Sequence, residues 1–278
     1  MPADTRQPPL SRVVLIGVSG RMGQALLRAA PGFPQLIVTG AIVSAGSLAL
    51  GRDAGELAGL GPANLPVTSD LPRALDQADV VIDFSSAAAT AGTLAACRAA
   101  RKPLLIGTTG FSATLESQLG AAAQEIPLLV AANTSLGAAL LMALTRTAAK
   151  SLPASFDIDI LELHHRLKQD APSGTALALG RVAAQARGLT PPTAGDVLAR
   201  RSGPRAEDEI GFATLRAGDT VGEHTVLLSG YGETLSLTHR ATDRAIFARG
   251  ALAAALWLLS RPPGRYDMED FLRLKTVA

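Results

Sequence analysis

The sequence is poor in the residues on which several classes of protein depend. It contains one cysteine, Cys97, so a disulfide framework is excluded and we expect a reducing, cytoplasmic setting. Because Cys97 lies in an Ala-rich run over residues 93–100, we expect a small buried side chain without a catalytic role. The net charge is only +2, with Lys and Arg scattered along the chain, which argues against a nucleic-acid surface.

Long apolar runs are also absent. The apolar stretch over residues 251–259 is far too short to span a bilayer, so we expect no membrane partner. Residues 1–11 are polar and contain proline, which is typical of a frayed tail and unlike a signal peptide. What the chain has instead is 47% hydrophobic residues, enough for a sizeable core in one large or two modest domains.

The first half of the chain alternates short apolar runs with helical patterns. Apolar strands separated by helices indicate a parallel sheet covered on both faces, and hence a doubly wound, Rossmann-like α/β domain. The expected strands are residues 13–16, 36–43, 80–84, 104–106 and 128–130, and the expected helices are residues 20–30, 87–100 and 112–124.

The pattern changes after Asn133. A long helix over residues 136–151 is followed by extended segments separated by turn signals, which predicts an α+β domain with a mostly antiparallel or mixed sheet. The extended segments are residues 156–164, 210–215, 223–228 and 233–239. We expect a long functional loop over residues 188–208 and a return to helix over residues 245–259.

A glycine-rich segment, residues 17–23, follows the first expected strand and opens the first helix. Glycines there let the backbone approach a pyrophosphate, and the helix dipole favours its charge, so we expect Gly17 and Gly20 to bind a dinucleotide. The acid that usually binds the ribose 2′-hydroxyl about 20 residues further on is absent. Val43 and Ser44 stand there instead, which favours either a 2′-phosphate or poor discrimination.

Two more loops, residues 107–111 and 131–135, follow expected strands. The carboxyl ends of parallel strands meet at one edge of a sheet, where open α/β sheets bind ligands. We therefore expect both loops to contribute to the same site as the glycine-rich segment.

The most informative segment is residues 162–175. In it, His164 and His165 end an alternating apolar run, Lys168 follows, and Ser173 precedes an Ala/Leu-rich helix. Histidine supplies a proton near neutral pH, whereas a lysine and a helix N-terminus attract anions. The segment predicts a site for a small, negatively charged substrate that must be protonated.

The histidines differ in their expected roles. Neighbouring residues on a strand point to opposite faces, so only one of His164 and His165 is expected to face the substrate directly. His224 and His239 lie in strand-like runs, where we favour structural roles. No cysteine or carboxylate nearby completes a ligand set, so we expect no metal.

Taken in order, these motifs resemble those of the dihydrodipicolinate reductase family. The resemblance implies a cofactor domain over residues 1–135, onto which residues 246–278 pack back, and a substrate-binding, tetramer-forming domain over residues 136–245. It implies NADPH- or NADH-dependent reduction of a cyclic dicarboxylate, 4-hydroxy-tetrahydrodipicolinate, with loss of water, in lysine synthesis. The matching stretches are residues 17–23, 83–85, 107–111, 131–135, 162–175 and 210–225.

The resemblance also implies roles for single residues. His164 is the expected proton donor, and Lys168 is expected to act in catalysis and to bind a substrate carboxylate. The other expected carboxylate contacts are His165, Gly174 and Thr175. The expected cofactor contacts are Gly17, Arg21, Met22, Gly107, Thr109, Ala131 and Thr134, to which Gly20 and Ser44 are added from their positions.

The chain departs from the family pattern at two places. Val43 and Ser44 stand where many members have an acidic-basic pair, and Thr134 stands where some have an aromatic residue. An acid would bond the 2′-hydroxyl and repel a 2′-phosphate, and Val43 does neither. We therefore expect NADPH to be used at least as well as NADH.

Two alternatives stay open from the sequence. Another dehydrogenase of this architecture, acting on an amino-acid or semialdehyde substrate, would need a nucleophilic cysteine or a different acid, and Cys97 is badly placed for the former. A non-catalytic NADPH-binding sensor would keep residues 17–23 but would not need His164 and Lys168.

Overall fold

The computed structural model of the protein describes residues 10–199, 204–206 and 208–274. Residues 10–135 and 245–274 form one compact unit, and the described residues between 136 and 244 form another. We call them the first unit and the second unit. No helix in the described ranges has both the length and the apolar character needed to cross a bilayer.

Strands and helices alternate in the first unit and are grouped in the second. The strands are β1 (Ser11–Ile16), β2 (Leu36–Ile42), β3 (Val67–Thr68), β4 (Val80–Asp83), β5 (Leu104–Ile106), β6 (Pro127–Val130), β7 (Asp157–His164), β8 (Ile210–Arg216), β9 (Gly222–Gly230), β10 (Glu233–Ala241) and β11 (Gly264–Tyr266). The helices are α1 (Arg21–Ala29), α2 (Ala54–Ala58), α3 (Leu71–Asp76), α4 (Ala87–Ala99), α5 (Ala113–Ala122), α6 (Leu136–Ser151), α7 (Gly174–Ala186), α8 (Ala194–Ala199), α9 (Ala245–Leu258) and α10 (Met268–Phe271), and a single 3-10 turn spans Ala30–Gly32.

The first unit contains a parallel sheet in the order β11-β6-β5-β4-β1-β2-β3. Every residue of β4 and β5 is buried, because both faces of the sheet are covered, and all of these residues except Asp83 are apolar. The strand order reverses between β1 and β4, the position at which open α/β sheets bind ligands. The predicted doubly wound architecture is confirmed.

The sheet extends one short strand further at each edge than the sequence predicts. β3 and β11 have two and three residues, too few to show a periodic pattern. Ser11 belongs to β1, so the expected tail ends before it, and residues 1–9 lie outside the described part of the chain.

The helix α9 returns the chain to the first unit. It packs against α1 and against the strands β4, β5 and β6. Its small side chains, among them Ala248, Ala251 and Ala255, are fully buried, which lets the helix approach the sheet closely.

The second unit contains a mixed sheet, as predicted. Its strand order is β10-β9-β7-β8. β7 runs parallel to β8, whereas β9 is antiparallel to both β7 and β10. Alternate residues of the central strands, Ile158, Ile160, Val226 and Leu228, form a core with α6 and α7. One expectation is wrong: residues 188–208 are not a loop throughout, because α8 forms within them, while residues 200–203 and 207 lie outside the described ranges.

Candidate active site

The turn between β1 and α1 has the geometry of an anion cradle. Gly17 has a φ of 84°, and a Cβ atom on it would lie 2.7 Å from the carbonyl oxygen of Phe84, so only glycine fits there. Gly20 caps α1 without a side-chain hydrogen bond, and the first turn contains no acid. The N–H groups at Arg21 and Met22 therefore begin a helix that no side chain caps, which fits a pyrophosphate.

Two neighbouring loops continue the same edge of the sheet. The N–H of Gly107 donates to the Asp83 carbonyl over 2.9 Å, and the N–H of Ala131 donates to the Ile106 carbonyl over 2.9 Å. Thr109 is exposed beyond β5. All three predicted loops of the first unit therefore leave the sheet at its carboxyl edge.

Two other predicted cofactor contacts, Thr134 and Ser44, differ in their surroundings. Thr134 is buried, and its hydroxyl donates to the carbonyl of Phe247 in α9 over 2.7 Å. This hydroxyl fixes the start of α9 and has its proton committed there. Val43 follows β2 and is only 6% exposed, whereas Ser44 is exposed.

A buried acid that the sequence reading did not select, Asp83, ends β4. Its Oδ1 atom accepts hydrogen bonds from the N–H and the hydroxyl of Ser85. Burial raises the pKa of Asp83, and the Ser85 bonds act in the opposite direction. The contact holds the turn whose Phe84 carbonyl faces Gly17, so Asp83 shapes the cradle without reaching it. In the sequence, the signal for this residue is an acid at the end of an otherwise apolar strand.

In the second unit, His164 is the last residue of the buried row of β7. Strand alternation places it on the same face as Ile160 and Glu162, and it is 8% exposed. Its Nδ1 atom is hydrogen-bonded to the carboxylate of Glu162. Its Nε2 atom faces the backbone of Gly222, where an added Cβ would lie 3.0 Å away. The ring is thus held through Nδ1, and its Nε2 atom lies next to the Gly222 backbone.

Glu162 is the centre of a network within the second unit. Its two carboxylate oxygens accept bonds of 2.9 Å each from the two terminal nitrogens of Arg216, and Oε1 also accepts from the Ser173 N–H over 3.1 Å. Burial alone would raise the pKa of Glu162, but the bonds with His164 and Arg216 outweigh it and lower the pKa to about 2. Glu162 is therefore a carboxylate at neutral pH. Neither Glu162 nor Arg216 was selected from the sequence.

His224 lies beside His164, although the sequence favoured a structural role for it. The two rings contact edge to face, with centroids 5.1 Å apart and planes at 73°. Its Nε2 atom lies 2.9 Å from Ser173 Oγ, which accepts from the Ala176 N–H over 3.1 Å and so caps α7. Burial, followed by the charges of His164 and other neighbours, lowers the pKa of His224 to about 4.

The other two histidines lie apart from this contact. His165 follows β7 on the opposite side and is half-buried, with Nε2 at 3.3 Å from a guanidinium nitrogen of Arg244. Burial and then the charge of Arg244 lower the pKa of His165. His239 pairs across β10 with His224 and packs on Gly137, where an added Cβ would lie 2.5 Å from its ring. The structural role of His239 stays a prediction.

Two of the predicted anion contacts, Gly174 and Thr175, are the first two residues of α7, and Gly174 is exposed. Lys168 is not a free cation, because its Nζ atom donates to both carboxylate oxygens of Asp170 over 2.7 and 2.9 Å. The sequence shows Asp170 two residues away, but an exposed loop has no period from which to predict the contact.

Within the part of the chain that the structure describes, no group of three His, Cys, Asp or Glu side chains is arranged to hold a metal ion. The polar groups of the predicted site in the first unit include the backbone N–H groups at the start of α1. Those of the second unit are His164, Lys168 and the start of α7.

Comparison with known proteins covers nearly the whole chain. Models of the dihydrodipicolinate reductase N-terminus and C-terminus match residues 11–134 and 137–272. The chain is 47% identical over 270 residues to a 4-hydroxy-tetrahydrodipicolinate reductase of Anaeromyxobacter dehalogenans, covering 96% of this chain and 99% of that protein. It is 45% identical over 268 residues to a protein of the same name from Hahella chejuensis, covering 96% of this chain and all 100% of the other.

A solved structure agrees with the fold. Dipicolinate-bound dihydrodipicolinate reductase from Paenisporosarcina sp. TG-14 matches with a TM-score of 0.74 at 22% identity, covering 95% of this chain and 99% of that one. At this level of identity the similarity supports the fold of the chain and carries no statement about its chemistry.

Proposed function

This chain belongs to the dihydrodipicolinate reductase family, and from that premise we propose that it reduces 4-hydroxy-tetrahydrodipicolinate to tetrahydrodipicolinate with NAD(P)H. The substrate ring loses water and then gains a hydride and a proton. The reaction belongs to diaminopimelate and lysine synthesis, and we propose the cytoplasm as its location, where reduced nucleotides are available.

One observation carries the proposal: His164 is held by the Glu162 carboxylate through Nδ1, which leaves Nε2 as its proton-donating atom. Glu162 is itself fixed by Arg216 and by the N–H of Ser173, so His164 is hydrogen-bonded at Nδ1 to a carboxylate that is held in place. A positioned acid of this kind is worth about 10²- to 10⁴-fold in rate.

The start of α7 supplies the carboxylate site. Backbone N–H groups at Gly174 and Thr175 lie at the positive end of a helix of 13 residues, which favours an anion. Lys168 adds a cation that exchanges its bonds with Asp170 for bonds with a substrate carboxylate. His165 lies on the neighbouring loop and completes the proposed contacts.

The first unit holds the nucleotide. Gly17 and Gly20 admit the pyrophosphate, and Arg21 and Met22 present the first N–H groups of α1 to it. Gly107, Thr109, Ala131 and Thr134 lie on loops at the same edge and contribute backbone and surface to the nucleotide site. When bound, the nicotinamide supplies the hydride.

The residues after β2 favour NADPH weakly. Val43 offers no acceptor to a 2′-hydroxyl and no charge against a 2′-phosphate, and the exposed Ser44 can donate one hydrogen bond. We propose that NADPH is used at least as well as NADH, with modest discrimination, because a serine offers a 2′-phosphate one hydrogen bond, whereas an arginine would offer two and a charge.

The two alternatives are less consistent with the side chains. A semialdehyde dehydrogenase needs a reactive cysteine, but Cys97 is completely buried, and burial raises the pKa of its thiol to about 12. A non-catalytic sensor has no use for a histidine oriented by a buried carboxylate next to an anion site. The network around Glu162 therefore favours the reductase.

We also propose that the protein is a homotetramer formed through the second unit. The face of its sheet opposite α6 and α7 carries four leucines: Leu161, Leu163 and Leu227 are half-buried, and Leu215 is 60% exposed. Polar side chains such as Thr225 lie among them. Exposed apolar side chains surrounded by polar ones are typical of an interface between identical subunits.

The reaction is tested by assaying freshly prepared substrate with NADPH and with NADH. His164→Gln is expected to lower kcat by about 10²- to 10⁴-fold while the nucleotide Kd, measured by titration calorimetry, stays unchanged. A wild-type protein without turnover would overturn the proposal. Collapse of nucleotide affinity with kcat preserved would assign His164 to the cofactor site instead.

A further inference from the structure

We propose that His224 is a positioning residue of this site: it fixes the start of α7 through Ser173 and holds the ring of His164 by its edge. The inference rests on the proposed function of His164 and α7. His224 itself lies on β9, outside the segment over residues 162–175 that the sequence singles out. No contact of His224 with substrate is required.

The first support is the hydrogen bond with Ser173. Strand register places His224 of β9 directly opposite Glu162 of β7, on the buried face. From there its Nε2 atom reaches Ser173 Oγ at 2.9 Å, and the same oxygen accepts from the Ala176 N–H. Ser173 therefore caps α7 with a hydroxyl whose direction is set by His224, and the N–H groups proposed for the carboxylate follow in the same turn.

The second support is the contact with the His164 ring. The hydrogen bond from Nδ1 to Glu162 fixes one edge of that ring but leaves it free to swing about the bond. The His224 ring, at 5.1 Å and 73°, closes one side, and the Gly222 backbone lies against Nε2. Together these contacts aim Nε2 in one direction.

The third support is charge. The ionisable groups that act on His224 are His164, Glu162, His239 and Lys168. Arg216 adds another cation on the far side of Glu162. A buried neutral imidazole makes both contacts and adds no charge. A lysine or arginine at this position would add a cation that competes with the proposed site for the substrate carboxylate.

The test compares three single variants and one double variant by calorimetric titration with dipicolinate, a rigid dicarboxylate. His224→Phe keeps the ring shape and loses the hydrogen bond, Ser173→Ala removes the other partner, and His224→Gln places an amide near the position of Nε2. We expect about tenfold weaker binding for each of the first two, no further loss in the double variant, and recovery in His224→Gln. The nucleotide Kd should stay at the wild-type value in all of them.

Several results would overturn the inference. The first is a dipicolinate Kd in His224→Phe equal to that of the wild type. The second is a loss of affinity in the double variant equal to the product of the two single losses. The third is a Kd in His224→Gln that stays as weak as in His224→Phe. The kcat at saturating substrate adds a second readout: it should fall further in His224→Ala, which removes the ring packed against His164, than in His224→Phe, which keeps one there.

A ligand-free measurement separates this inference from the proposed function. Amide hydrogen exchange in the first turn of α7 should become faster in His224→Phe and in Ser173→Ala, and return in His224→Gln, while α4 is unchanged. Unchanged exchange at α7 contradicts the role of His224 whether or not the protein reduces the proposed substrate. If His224→Phe does not fold, His224→Leu, which also lacks the hydrogen bond, takes its place in this comparison.

Discussion

Glu162 and Arg216 form a two-point ion pair, with 2.9 Å between each terminal guanidinium nitrogen and one carboxylate oxygen. The pair joins the neighbouring parallel strands β7 and β8, and Arg216 stands opposite His164 in their register. Because the same carboxylate accepts from His164 and from the Ser173 N–H, one buried side chain organises both the proton donor and the start of α7. A substitution at Glu162 should therefore affect both.

Glu162→Gln should lower kcat by about two orders of magnitude with nucleotide Kd unchanged, because the amide holds the His164 ring less firmly and has lost its charge. Leaving Arg216 without its carboxylate should also lower the free energy of unfolding by about 3–5 kcal/mol. Steady-state kinetics and denaturant unfolding measure the two effects.

Glu116→Gln is the matched control. Glu116 pairs with Arg265 over 3.0 Å, but both side chains are more than 40% exposed, so its loss should cost less than about 1 kcal/mol. Equal losses of stability from Glu162→Gln and Glu116→Gln would show that the Glu162 network does not stabilise the second unit.

Lys168→Ala should keep the fold but raise the dipicolinate Kd, because losing one desolvated carboxylate partner costs about 2–5 kcal/mol. Asp170→Asn should act in the opposite direction and tighten binding by a few-fold, since the exposed ion pair that competes for Lys168 is removed. Calorimetry on both variants checks the pair. Near wild-type kcat/KM in Lys168→Ala would contradict the assignment of the anion site.

The stability of the protein should fall with acidity in a window set by His224. Its pKa is lowered from 6.5 to about 4 in the folded state, so the unfolded chain binds the additional proton and stability is lost as the pH falls from 6.5 to 4. The contribution is on the order of 3 kcal/mol. Glu162, with a pKa lowered from 4.5 to about 2, adds a second loss as the pH falls below 4.5.

Urea unfolding at a series of pH values checks this window. His224→Phe should flatten the curve between pH 6.5 and 4 relative to the wild type, leaving the slope of His165 and His239, whose pKa values are also lowered by burial. The loss below pH 4.5 should persist. Parallel wild-type and variant curves across the upper window would mean that His224 is not buried as a neutral ring.

Leu215→Glu should dissociate the proposed tetramer, because a charge is placed among the leucines on the outer face of the second unit's sheet. Leu215 is already 60% exposed within the chain, so the fold should tolerate the change. Light scattering at micromolar concentration measures the mass. Leu48→Glu, at a site 99% exposed in the first unit, is the control and should leave the mass unchanged. A monomeric wild type would refute the tetramer.

Val43→Glu should shift the nucleotide preference toward NADH by on the order of 1–3 kcal/mol, because the new carboxylate bonds the ribose 2′-hydroxyl and repels a 2′-phosphate. Val43→Gln has the same shape without the charge and separates repulsion from hydrogen bonding. The ratio of kcat/KM for NADPH and NADH is compared in the three proteins. A wild type that strongly prefers NADH, or an unchanged ratio in Val43→Glu, would show that position 43 does not read the ribose.

The sequence by itself determined the features whose signal is local. Apolar runs and helical patterns follow one another within some 30 residues, so the parallel sheet of the first unit and the glycine turn after β1 are readable from periodicity. His164, Lys168 and the start of α7 stand within one short segment. Alternation along β7 also places Glu162 on the same face as His164, a signal that was present and unused.

Only the tertiary structure decided which distant residues complete the site. Arg216 is 54 residues from Glu162, and His224 is 51 residues from Ser173. Their contacts depend on the pairing of β7 with β8 and β9, and strand register is a property of the folded sheet that no local period contains. The pairing of Lys168 with Asp170 and the burial of Asp83 likewise follow from the geometry of a loop and a core, in which the same residue types have many other arrangements.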